Sequence, residues 1–151
     1  MPSCNFSLFV DKPKTYTKHP KTIGEHILKR RIELELRQKD VGKLIGVGNF
    51  TIMNWEKGDA QPSIKHYPAI ISFLGYEPFP EPRTLGERII AWRHRNGFSR
   101  KALARQLGVD EAALARREMD IASTTGTAAV MLNNFLHKWL EDDLSMNLFI
   151  R

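Results

Sequence analysis

Apolar residues in the first half of the chain recur at helical spacing in short bursts. Ile23, Ile27, Leu28 and Ile32 fall at i, i+4, i+5 and i+9, which puts them on one face of a helix over about 23–33. Val41, Leu44 and Ile45 predict a second, shorter helix over about 38–45 with all three inward. Gly46 ends it, because the turn needs a residue that tolerates positive φ. A third helix over about 49–57 buries Ile52 and Trp55 and is closed by Gly58. Ser63 to Gly75 reads as a fourth, with Pro68 bending it or breaking its first turn. Pro78, Pro80 and Pro82 then exclude a helix over 76–83 and favour a short, stiff, extended connector.

From Thr84 the pattern starts again. Thr22 to Gly58 laid on Thr84 to Asp120, sixty-two residues on and without a gap, is identical at Thr22/Thr84, Gly24/Gly86, Glu25/Glu87, Ile27/Ile89, Arg31/Arg93, Lys39/Lys101, Gly46/Gly108, Val47/Val109 and Glu56/Glu118. Ile23/Leu85, Leu36/Phe98, Val41/Leu103, Ile45/Leu107 and Ile52/Leu114 keep their apolar character. Two copies of one supersecondary unit are the economical reading. Each opens with Thr-x-x-Glu, in which the threonine oxygen and the glutamate satisfy free amides at a helix start. Thr125 to Trp139 supplies the last helix through Val130, Leu132, Phe135, Leu136 and Trp139. The expected fold is all-α: an arm over 1–21, a first domain over 22–75, a proline-rich linker over 76–83, a divergent second domain over 84–140 and a tail over 141–151. Asn5 to Val10 and Met146 to Ile150 have strand-like composition. That leaves open a small terminal β-pairing or plain disordered termini.

Charge narrows the function. The 151 residues carry 23 Lys and Arg against 17 Asp and Glu, a basic balance that suits a nucleic-acid partner and equally suits generic solubility. The excess is densest on the arm, through Lys12, Lys14, Lys18 and Lys21, which can follow a minor groove or serve as a solvated linker. The single cysteine, Cys4, forms no internal disulfide, fits a reducing cytoplasm, and excludes zinc fingers and cysteine-ligated clusters. No apolar run is long enough to span a bilayer, and the start has no basic region or cleavage site of a secretory signal. His19, His26, His66, His94 and His137 are scattered outside any metal-binding spacing, and no phosphate-binding loop or nucleophile elbow is present. The expectation is a cytoplasmic, nucleoid-associated protein that is not an enzyme and uses no metal or cofactor.

Two short helices joined by a glycine turn pack at a steep angle only when contact residues are small or apolar at fixed offsets. Counted from Gln38, the fourth, eighth, tenth, fifteenth and eighteenth positions are Val41, Ile45, Val47, Ile52 and Trp55, with Gly42 fifth and Gly46 ninth. The stretch HILKRRIELELRQKDVGKLIGVGNFTIMNWEKG resembles the Cro and lambda-repressor-like family, also called XRE-like. The likeness covers about 22–75 well and about 84–140 less well. It implies that the third helix enters the major groove of duplex DNA while the start of the second meets the phosphates. On that resemblance Asn49, Phe50, Met53 and Asn54 face the bases. Gln38 bonds the backbone or braces a neighbour, and Lys39, Lys43 and Lys57 meet phosphate. Asn49 has a second reading as the cap of the third helix, and Phe50 and Met53 have one as packing or partner contacts.

In the second copy the tryptophan is replaced by Arg117 and the closing glycine by Asp120. Arg117 is expected to bend to solvent or pair with an acid such as Glu118. Asp110, Glu111, Ala112, Ala113, Ala115 and Arg116 occupy the groove-facing positions, of which only Arg116 can read a base. Arg100, Lys101 and Arg105 can hold phosphate. The second copy is thus either a weaker DNA contact or a scaffold for packing or dimerisation. For the whole chain, sequence-specific DNA binding by a bacterial or phage-type repressor stands beside an antitoxin-like alternative that binds a partner protein and autoregulates through DNA.

Overall fold

The computed structural model describes residues 18–121 together with 126, 130–132, 134, 135, 137 and 138. Among these residues every regular element is helical: α1 (Ile23–Glu33), α2 (Gln38–Ile45), α3 (Asn49–Lys57), a 3-10 turn (Ile64–His66), α4 (Tyr67–Leu74), α5 (Leu85–Asn96), α6 (Arg100–Leu107) and α7 (Glu111–Glu118). Residues 130–132, 134, 135, 137 and 138 are also helical, on the segment expected to form the last helix. The chain divides into two compact units, Met1–Lys43 with Val47–Gln61 and Leu44–Gly46 with Pro62–Arg151. The terminal runs around Asn5 to Val10 and Met146 to Ile150, and the arm lysines Lys12 and Lys14, lie outside the described residues.

In the first unit α1 packs on α3. Thr22 starts α1 by accepting from the Glu25 amide, while Glu25 reaches back one residue beyond the cap to the Lys21 amide at 2.6 Å. Close approach of the two helices depends on Gly24. A Cβ there would fall on the Trp55 carbonyl. Ile27, Val41 and Ile52 are fully buried, and Trp55 nearly so. Gly42 does the same work beside the turn, where its carbonyl accepts from the Val47 amide at 2.8 Å and a Cβ would crowd the Val47 carbonyl. Gly46 has φ +83°, as the turn requires. Leu44 departs from expectation: it is 63% exposed. Val41, Ile45 and Gly42 set the buried arc of α2, and at about 100° per residue Leu44 lies roughly 110° from its middle.

In the second unit α4 packs on α5, and α7 on both α5 and α6. Ile89, Trp92, Leu103, Ala104, Leu114, Leu132 and Phe135 form one core. Its large aromatic comes from α5 rather than α7: Trp92 meets Phe135 edge-on at 5.1 Å and Phe98 at 5.4 Å. Val130, expected inside, is 58% exposed, whereas Leu132 and Phe135 are buried. Pro68 sits in the first turn of α4, where its missing amide costs nothing.

Candidate nucleic-acid interface

The first unit presents α3 by its N-terminal end. Ile52 and Trp55 bury one face, which leaves Asn49, Phe50, Met53 and Asn54, at i, i+1, i+4 and i+5, along the other. Asn49 and Phe50 are exposed, Phe50 at 69%, and Met53 and Asn54 are half-buried. The helix is capped by Gly48, which offers no side-chain bond. Asn49 is therefore the first helical residue and not the cap, so its amide group is not spent on the helix start. Lys39 and Lys43, one turn apart on α2, and Lys57 at the end of α3 are all exposed.

Behind this surface lies an ion pair. Arg31 donates to Glu56 through Nε at 2.6 Å and Nη2 at 2.9 Å, and through Nη1 to the Leu36 carbonyl at 3.2 Å. Glu56 is almost wholly buried and accepts a further bond from Gln38 Nε2 at 2.8 Å. Gln38 thus braces α2 against α3 through Glu56, and its carbonyl oxygen remains the group that can act outward. The sequence marked Arg31 and Glu56 as identities between the copies without showing that they touch. Opposite charges kept at fixed positions in both copies were the available signal.

Sixty-two residues on, the bonds recur. Arg93 donates to Glu118 at 2.6 and 3.2 Å and to the Phe98 carbonyl at 3.1 Å. Arg100, in the place of Gln38, donates to Glu118 at 2.8 Å. Thr84 and Glu87 complete a reciprocal capping box. A Cβ on Gly86 would meet the Arg117 and Glu118 carbonyls. Asp120 has φ +55° where the first copy has a glycine, and its Oδ1 accepts from the Gly86 amide at 3.1 Å. Arg117 corrects the sequence reading: it is 6% exposed, and Glu118 is taken by Arg93 and Arg100, so Arg117 neither turns to solvent nor pairs with Glu118.

The start of α7 differs from that of α3. Asp110 is its cap, accepting from the Ala112 and Ala113 amides at 3.0 and 3.3 Å, and Glu111 follows it. Lys101, Arg105 and Arg116 are exposed and Arg100 half-exposed. Elsewhere in this unit His94 packs against Tyr67 and Phe79, beside a pocket of about 170 Å³ walled mainly by Phe79, Pro80, Ile90 and Ala91. Burial, and then the Arg93 charge, push the His94 pKa below its ordinary value. Among the described residues no group of His, Cys, Asp and Glu could hold a metal ion, and no helix is long and apolar enough to cross a membrane.

Two short helices packed across a glycine turn, the second of them exposed, without a side-chain cap and fixed from behind, have the form of a helix-turn-helix domain. Residues 27–79 match the family described as Helix-turn-helix. Over 56 residues the chain is 36% identical to "Repressor protein C2" of Salmonella phage P22, covering 37% of this chain and 26% of that protein. Over 57 residues it is 33% identical to "HTH-type transcriptional regulator DicA" of Escherichia coli (strain K12), covering 38% of this chain and 42% of that one. The match therefore spans less than half of either relative. No solved structure matches.

Proposed function

We propose that this protein binds duplex DNA sequence-specifically through α2, the glycine turn and α3, and that it regulates transcription as a repressor of the bacterial or phage type. The observation that carries the reading is the outward face of α3, where the exposed Asn49 and Phe50 at the tip and the half-buried Asn54 further along stand on a helix without a side-chain cap. In this reading Asn49 and Asn54 pair with base edges, an Asn amide being able to bond adenine at two atoms, and Phe50 and Met53 lie against thymine methyls. Lys39, Lys43 and Lys57 meet phosphates and set the register, while Gln38 holds α2 in place and turns its free oxygen to a neighbour. Similarity to a phage repressor and a transcriptional regulator supports the same conclusion.

A second reading concerns association. Met119, Ile121, Val130 and Met131 are exposed, which favours a protein contact in the second unit, to another copy of the chain or to a partner protein. Selection of bound duplexes from a random pool at near-physiological salt tests both. A palindromic motif supports a two-fold dimer with half-sites about 34 Å or a multiple apart. A single unsymmetrical motif supports a monomeric reader, and the absence of any enriched motif overturns specific recognition.

A further inference from the structure

The second unit repeats the internal ion pair of the first with one change of charge. In the first unit the cluster is one guanidinium, one carboxylate and one neutral amide, Arg31, Glu56 and Gln38. In the second it is two guanidiniums on one carboxylate, Arg93 and Arg100 on Glu118. The Glu118 side chain is 1% exposed and that of Arg100 37%. The surplus positive charge therefore leaves the interior through Arg100. Its Nε is engaged, and its Nη groups have no partner among the described residues. Lys101 and Arg105, one turn apart, are exposed on the same helix, α6, which contains no acid.

The end of α7 has the opposite character. The Asp110 carboxylate occupies the amides that a phosphate or a base edge would use, and Glu111 adds a second negative charge there. Ala112, Ala113 and Ala115 bring no hydrogen-bonding group. Base reading needs donors and acceptors at the helix tip. Phosphate contact needs only cations on a steady support.

We infer that the second unit is a sequence-independent clamp on the DNA phosphate backbone, acting through Arg100, Lys101 and Arg105 on α6 and not through α7. This rests on the proposed DNA binding and assigns the two units different tasks. The first selects a sequence, and the second adds affinity on any sequence.

The test is fluorescence anisotropy of the full chain on its selected duplex and on an unrelated duplex, over a salt series. Lys101→Ala with Arg105→Ala removes two exposed cations. Arg100→Gln recreates the amide of the first unit and keeps a donor for Glu118. The double variant should weaken binding to both duplexes by the same factor and lower the slope of log K against log salt by about 2, with about 1 more on adding Arg100→Gln. The preference for the selected duplex should stay unchanged. Unaltered affinity and slope in a wild type that does bind DNA overturns the clamp alone and assigns the α6 face to another, acidic partner. A change in preference, or the loss of preference on Arg116→Ala, overturns it by showing that the second unit reads bases. A wild type that binds neither duplex overturns both the clamp and the proposed function.

Discussion

Replacing Glu56 by Gln would leave the Arg31 guanidinium, 17% exposed, without its counter-charge and with one neutral amide oxygen in place of two carboxylate oxygens, beside the Leu36 carbonyl. Breaking a buried pair from one side costs about 3–5 kcal/mol. Partial solvation of Arg31 puts the first unit at the low end of that range. Glu118→Gln strands two guanidiniums, one of them in a nearly dry setting, and should cost the second unit more. Urea unfolding followed by tryptophan fluorescence measures both; negligible losses would mean that the pairs only fill space, and equal losses that the second guanidinium on Glu118 adds no cost. Backbone strain gives a prediction of opposite sign. Glu35 has φ +54° at the turn after α1, where the second copy places Gly97 at φ +70°. A left-handed conformation costs a residue with a Cβ about 1–2 kcal/mol. Glu35→Gly returns that, less the greater entropy of glycine in the unfolded chain, so its melting temperature should rise slightly. Asp120→Gly removes similar strain but also the bond to the Gly86 amide, and should not raise it. A rise with Asp120→Gly and none with Glu35→Gly would overturn this reading.

At the scale of elements, the start of α3 shows how a helix can give up stability for reach. Gly48 has extended φ and ψ that any residue can adopt, and a Cβ there meets nothing nearer than the Thr51 hydroxyl at 4.0 Å. Gly48→Asp should therefore cap α3 as Asp110 caps α7, adding a few tenths of a kcal/mol. It would also set a carboxylate at the surface proposed to approach DNA. The expected result is an unchanged or slightly higher melting temperature with much weaker duplex binding, read by anisotropy. Unchanged binding would move the contact away from the α3 tip. The first three helices were legible to the residue, because apolar spacing in all three, the Thr-x-x-Glu start of α1 and the glycines after α2 and α3 agree. Leu44 was misplaced because one turn of a short helix cannot fix the centre of its buried arc until its neighbours are known. Arg117 was misplaced because the carboxylate beside it in sequence was already claimed by residues 25 and 18 positions away.

For the whole molecule, what the sequence conveyed was recurrence, and what it concealed was the route by which each unit fills its core. Trp55 serves the first through α3, whereas Trp92 serves the second through α5, so an alignment that looks for a tryptophan at one position underrates the second unit. The same burial that completes each unit makes it sensitive to acid. His26 in the first and His94 in the second are held below the ordinary histidine pKa of 6.5, mainly by desolvation and then by Lys29 and Arg93, against weaker opposition from Glu25 and from Glu118 and Glu77. A depressed pKa means that the unfolded chain takes up protons before the folded one. The stabilisation is therefore complete above 6.5 and is lost as pH falls through the folded-state values. Asp40, bonded by Arg37, and Glu87, bonded by the Arg83 and Thr84 amides, are also depressed, from ordinary values of 3.8 and 4.5. Their contribution is lost lower still. The melting temperature should thus fall in two stages, the first beginning just below pH 6.5 and the second below about pH 4.5. His94→Phe keeps an aromatic ring beside Tyr67 and Phe79 and removes the titration. It should flatten the first stage in the second unit and leave the carboxylate stage intact. A melting temperature that is level or rising between pH 7 and 5 would mean that these imidazoles are solvated in the folded chain, and the packing around His94 would then need revision.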